Sequence, residues 1–199
     1  MEARIQRLQR LGLASIGVTI LLMMLGAWVK ATGSGLACPD WPACYGEWLP
    51  PFPSSENGGT YQGEPVLFTQ AQILYEWGHR AVVSLLLVPL LAFAIVAARG
   101  TELRPALRWL PLGAVGLYVL QAGLGAVTVV TGNPPWATTA HLTMAVAFLL
   151  VQTVATCAAF FAPTLPTPPA PPAEAREPPP GFVQPRPFSG FTWPEAPKP

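Results

Sequence analysis

Two histidines, a carboxylate, a guanidinium and a pair of cysteines are the residues of this 199-residue chain with the most chemistry to offer. Glu76, His79 and Arg80 stand together in Tyr75-Glu76-Trp77-Gly78-His79-Arg80, at the head of an apolar run from Ala81 to Ala98. Ionisable groups are costly to place at the lip of a membrane span, so such a cluster is read first as functional. His141, the only other histidine, opens a second apolar run after Thr138-Thr139-Ala140. Neutral imidazole nitrogen is a good ligand for haem iron, and two of them on separate helices can hold one macrocycle by both axial positions. The plainer reading is a pair of satisfied interfacial histidines.

Around the imidazoles stand further candidates. Glu76 lies three residues before His79 and so shares its helix face. From there a carboxylate orients the imidazole, serves as acid or base on a bound porphyrin, or simply pairs with Arg80. Lys30 and Arg80 sit at span boundaries, where their heads either meet haem propionates or snorkel to lipid phosphates. Gln121 is a lone amide in an apolar run, with Gly116, Gly123 and Gly125 around it. Small residues there admit close helix packing or the approach of a flat ring. Cys38 and Cys44, with five residues between them, form either a structural staple or a redox pair; the spacing fits neither a CxxC motif nor a usual zinc site. Cys157 lies alone in an apolar run and is expected to be a buried, inert thiol.

The elements that must position these groups are legible from hydropathy. About half the residues are apolar (51%) and only 11% are charged, which marks a membrane protein. A net charge of +1 argues against nucleic-acid binding. Apolar runs long enough to cross roughly 30 Å of hydrocarbon predict four transmembrane helices, over about 11–31, 70–98, 109–131 and 137–162. A polar outer loop, 32–69, holds the cysteine pair, and Pro89 is expected to bend the second span. Arg4, Arg7 and Arg10, then Arg99, Arg104 and Arg108, fall on one side, which the positive-inside rule makes cytoplasmic. Both termini are therefore expected inside a cell membrane, with the cysteine loop outside, where a disulfide persists. Beyond the helical domain 1–162, residues 163–199 contain 14 prolines and no period, and predict a disordered cytoplasmic tail.

An internal repeat ties the two histidines together. Moved by 99 positions, Gly17, Gly26, Ala27, Thr32 and Gly33 coincide with Gly116, Gly125, Ala126, Thr131 and Gly132, among several leucine matches. The fold expected is an all-α integral membrane bundle of two parallel hairpin repeats, each returning helix carrying one histidine near its outer end.

Thr32-Gly33-Ser34-Gly35-Leu36-Ala37-Cys38-Pro39-Asp40-Trp41-Pro42-Ala43-Cys44-Tyr45-Gly46, then Glu76-x-x-His79-Arg80, then Gln121-x-x-Leu124-Gly125-Ala126-x-Thr128-Val129, with His141 opening the next helix, resembles the haem A synthase family over about residues 11–162. The resemblance implies a membrane oxidoreductase that oxidises the methyl of haem O to the formyl of haem A for terminal oxidases. It implies haem b as cofactor, His79 and His141 as axial ligands, Glu76 as the catalytic carboxylate, and Cys38 with Cys44 as an outer-loop pair handling electrons or hydride. Members of that family have two such four-helix halves and four histidines, and this chain resembles the first half alone. A homo-oligomer or a second four-helix partner is therefore expected, with haem O synthase as a further partner. The alternatives are a bis-histidine haem b electron carrier in the membrane, or a haem carrier or oxidase assembly factor without catalysis.

Overall fold

The computed structural model describes residues 1–50, 58–61, 64–161 and 164. The expected tail over 163–199 lies, apart from Thr164, outside the described residues. Four helices carry the fold: α1 Glu2–Ala31, α2 Gln70–Ala98, α3 Pro105–Val130 and α4 Pro135–Phe161. Each is long and apolar enough to cross a membrane. Two short strands, β1 Gly58–Tyr61 and β2 Glu64–Leu67, pair antiparallel in the long connection between α1 and α2. The sequence reading had an irregular loop there. Strands of four residues with few alternating apolar positions leave too little periodic signal to be seen.

The helix bounds follow the hydropathy reading closely, with one difference. α1 begins at Glu2 and runs unbroken through Arg4, Arg7 and Arg10, so its first nine residues extend the helix beyond the apolar span. Arg4 pairs there with Glu102 of the α2–α3 link at 2.7 Å. α2 starts with a capping box, Thr69 accepting from the Gln72 N–H while the Gln72 side chain accepts from Thr69 N–H. The Gln72 amide also donates to Thr32 O at 3.1 Å, fastening the start of α2 to the end of α1. α2 continues through Pro89 without interruption. The α3–α4 turn is tight because Gly132 and Asn133 both take left-handed backbone angles, φ 76° and 64°, which these two residue types tolerate best.

The helices pack in a ring: α1 against α2, α2 against α3, α3 against α4 and α4 against α1, with no close backbone approach across either diagonal. The histidine-bearing helices α2 and α4 are thus opposite one another. One apolar cluster, including Leu8, Phe93, Leu107 and Ala159, closes the end of the bundle that carries the arginines. A second, of Leu86, Leu90, Ala114 and Phe148, fills the middle. A third, of Leu36, Ala37, Cys38, Cys44, Phe68 and Ile73, packs the cysteine loop onto α2 at the other end.

The α1–α4 seam carries buried polar side chains. Ser15, Thr19, Gln152 and Thr156 are all buried in it. Thr19 donates to Gln152 Oε1 at 2.9 Å, across the helices. Within a membrane such bonds are worth about 0.6 kcal/mol on average, because the separated helices also find partners. Gln152→Leu is accordingly expected to change thermal stability in detergent by no more than about 1 kcal/mol, since it also removes an amide Nε2 that has no partner.

Candidate functional site

Between the middle cluster and the cysteine loop the bundle opens into a cavity of about 680 Å³, within the roughly 300–1,000 Å³ typical of cofactor and ligand sites. All four helices contribute to it, and Trp41, Pro42 and Trp48 of the loop close over it. His79 and His141 both line it, from opposite helices. Each ring lies over a glycine of the preceding helix. A Cβ added at Gly26 would come 3.1 Å from His79 Cε1 and 3.7 Å from its Nδ1; one added at Gly125 would come 3.2 Å from His141 Cε1 and 3.8 Å from its Nδ1. Gly26 and Gly125 are the pair that coincide in the 99-residue shift. The Nδ1 atoms of both imidazoles are buried and have no hydrogen-bond partner. Gly116 and Gly123, by contrast, have nothing within 4 Å of an added Cβ and do not take part in packing within the chain.

Glu76, one turn before His79, and Arg80, the residue after it, are bound up with the loop. Glu76 is buried; its Oε2 accepts the Cys38 N–H at 2.8 Å and its Oε1 accepts from Arg80 at 2.6 Å. All four Nη–H groups of Arg80 have acceptors: Asp40 O and Ala43 O at 2.6 Å each, Cys38 O at 3.0 Å, and Glu76. Three consecutive reaches of the loop backbone therefore end on one guanidinium, whose rigid fork is suited to such gathering. Lys30 is exposed and lines the cavity near the same end. Gln121 faces His141, its Nε2 3.4 Å from His141 Nε2, while its Oε1 is buried without a partner.

Cys38 and Cys44 form a disulfide, both cysteines essentially fully buried. Asp40 organises the turn they enclose, accepting the N–H groups of Tyr45 at 2.6 Å and Gly46 at 2.8 Å. Burial, then the neighbouring carboxylates of Glu76 and Asp40, push the Tyr45 phenol above its usual range, so it stays protonated at neutral pH. A short closed loop restricts the unfolded chain modestly. Replacing both cysteines with serine is expected to lower stability by about 2 kcal/mol by the chain-entropy account, read as the shift in thermal midpoint against the disulfide-intact protein. Cys157 departs from expectation: it is exposed on the outer face of α4 rather than buried, since the residues packed inward there are Ala155, Thr156 and Ala159.

Sequence reasoning placed the imidazoles, Glu76, Arg80, Lys30, Gln121 and the cysteines, and the structure gathers all of these at one end of the bundle. It missed Asp40, Tyr45, Trp41 and Trp48. The signal for Asp40 was its place before a turn ending in Tyr45 and Gly46, both at positive φ, 57° and 78°. Among the described residues no three His, Cys, Asp or Glu side chains converge to hold a bare metal ion. The two imidazoles stand instead on opposite walls of the same cavity.

The fold and site thus define a four-helix membrane-spanning protein whose helices surround one cavity with an imidazole on each of two opposite walls. A family described as cytochrome oxidase assembly protein matches residues 9–179. The chain belongs to this family, that of the haem A synthases. The match runs past α4 into 163–179, which the sequence resemblance had not covered. Among curated relatives, a haem A synthase of Shewanella oneidensis is 31% identical over 141 residues, covering 67% of this chain and 41% of the relative. One of Symbiobacterium thermophilum is 29% identical over 152 residues, covering 74% and 44%. A protohaem IX farnesyltransferase of Halobacterium salinarum is 29% identical over 145 residues, covering 73% of this chain and 28% of the relative. The chain spans less than half the length of the curated relatives it matches. No solved structure matches it.

Proposed function

We propose that the chain is a haem A synthase-like membrane oxidoreductase that oxidises the methyl of haem O to the formyl of haem A, with haem b as its cofactor. The observation that carries this reading is the pair of imidazoles on opposite helices, each lying over a glycine and each with an unpartnered Nδ1, around one cavity. A Cβ at either glycine would fill the space the ring uses, so the residues present fit a bis-histidine macrocycle site. Bound there, haem supplies an iron centre for electron exchange. His79 and His141 offer the axial nitrogens. Glu76 stands at the cavity wall as the acid or base, its charge held by Arg80 and the Cys38 N–H. Lys30, and Arg80 through its remaining Nε–H, are the cations available to the acid groups of the ligand. Cys38 and Cys44, one residue-contact from Glu76, are the pair for electron or hydride handling, beside their part in holding the loop.

The near-identical seating of the two rings over Gly26 and Gly125 supports two parallel hairpin repeats. Arginines at the other end of the bundle support cytoplasmic termini and a cysteine loop on the outer face of the cell membrane. A second copy of the chain or another four-helix unit is the partner this reading expects. A relative named for farnesylating protohaem IX supports haem O synthase as a neighbour. One observation favours the reading without catalysis, as an electron carrier or haem carrier: both oxygens of Glu76 already have partners.

The readings separate on the pigments of the purified protein. Co-expressed with haem O synthase, the wild-type chain is expected to yield haem A on extraction and chromatography, and Glu76→Gln to yield haem O with haem b retained. Haem b or haem O alone from the wild type would leave a cytochrome or carrier.

A further inference from the structure

His79 and His141 are seated alike, yet their surroundings differ in one respect. Gln121 of α3 lies with its Nε2 3.4 Å from His141 Nε2, whereas the position that coincides with it in the 99-residue shift is Leu22 of α1. Leu22 lines the same cavity and offers His79 no hydrogen bond. Nε2 is the nitrogen of each ring left for a ligand, because both Nδ1 atoms are turned into packed protein.

We propose that Gln121 makes the two imidazoles unequal, His79 being the permanent axial ligand and His141 the exchangeable one; this rests on the bis-histidine haem site proposed above. Coordination and the amide contact use the same atom. To bind iron, His141 Nε2 must present its lone pair to the metal; to accept from Gln121 N–H, it must present that lone pair to the amide. In the opposite amide orientation Gln121 Oε1, otherwise buried without a partner, accepts from Nε2–H, and the lone pair is again withdrawn. When the iron–nitrogen bond on the His141 side breaks, the freed nitrogen passes to Gln121 with no proton or electron changing hands, and one axial position opens towards the cavity. The corresponding place on α1 offers His79 no amide, only Leu22. Neither ring is pinned through Nδ1, the usual device that fixes a ligating imidazole, so a small swing of His141 costs no hydrogen bond at its far side.

A contact of this kind is worth about 1 kcal/mol, so removing it is expected to shift the bound-to-detached ratio of His141 roughly fivefold. The test is spectroscopic, on the purified haem-loaded protein. The wild type is expected to show a high-spin fraction by electron paramagnetic resonance and to bind carbon monoxide in the reduced state. Gln121→Leu is expected to lower both about fivefold. Gln121→Asn, whose shorter amide falls short of Nε2, should do the same and keeps the site polar if the leucine variant misfolds. His141→Ala should retain its pigment as a five-coordinate species, while His79→Ala loses it. Equal pigment loss from the two histidine variants, or a wild type and Gln121 variants alike in spin state and carbon monoxide binding, would overturn the inequality while leaving bis-histidine ligation in place. Protein that never carries haem would overturn the parent reading, and this inference with it.

Discussion

Arg80→Met is expected to cost the folded protein about 3–5 kcal/mol, the usual penalty for leaving one member of a buried pair uncompensated. The arginine side chain is 14% exposed and that of Glu76 5%. Its methylene stem is matched by methionine, so little is lost in packing volume. What goes is the donor side of the arrangement: Cys38, Asp40 and Ala43 lose the donor for their carbonyls, and Glu76 keeps only the Cys38 N–H. The loop over the cavity should then come away from α2 although the disulfide is intact. Protease cleavage within residues 38–48 and a lower thermal midpoint are the measurements. Resistance to cleavage with an unshifted midpoint would mean that the disulfide and the apolar cluster beneath it hold the loop alone.

Gly26→Ala and Gly125→Ala form the second large prediction. An added methyl at either position would lie 3.1 or 3.2 Å from an imidazole Cε1, closer than ordinary van der Waals contact. The backbone there is helical, so alanine fits the helix better than glycine by about 1 kcal/mol. Stability should therefore hold or rise while the imidazole is pushed into the cavity. Haem affinity is expected to fall about 10–100-fold, in line with the loss of other groups that orient ligating histidines. Gly17→Ala and Gly116→Ala, where nothing stands within 4 Å, serve as matched controls. Pigment-to-protein ratio and thermal midpoint, measured together, separate the two effects. Full pigment in both alanine variants would show that the rings have room to shift.

The spans were readable because each holds a long apolar run, and the span read over about 70–98 coincides with α2, whose capping box was not read from the sequence. α1 was read as starting at Leu11 because charge was taken as its limit; the helix goes on to Glu2 since Arg4 finds Glu102. The clamp on the cysteine loop was invisible for a different reason. Its acceptors are backbone carbonyls of Cys38, Asp40 and Ala43, and any sequence supplies carbonyls. Gly26 and Gly125 were visible as a repeated pair, but that each lies under a histidine follows only from how neighbouring helices meet. Cys157 was misplaced because an all-apolar helix has too weak a moment to tell its lipid face from its inner face. The amide of Gln121 was noticed as unusual in its span, while its orientation towards His141 required the ring of four helices to be known.

That the backbones of α2 and α4 stand apart on either side of the cavity has a bearing on how such a bundle comes to exist. If haem is the occupant proposed above, the cavity between these two walls is filled by lipid chains or water until that rigid disc arrives, and loading and maturation become one event viewed twice. Cells short of the disc should therefore accumulate little of this polypeptide, and adding a porphyrin precursor to the growth medium should raise its yield with no change in transcript.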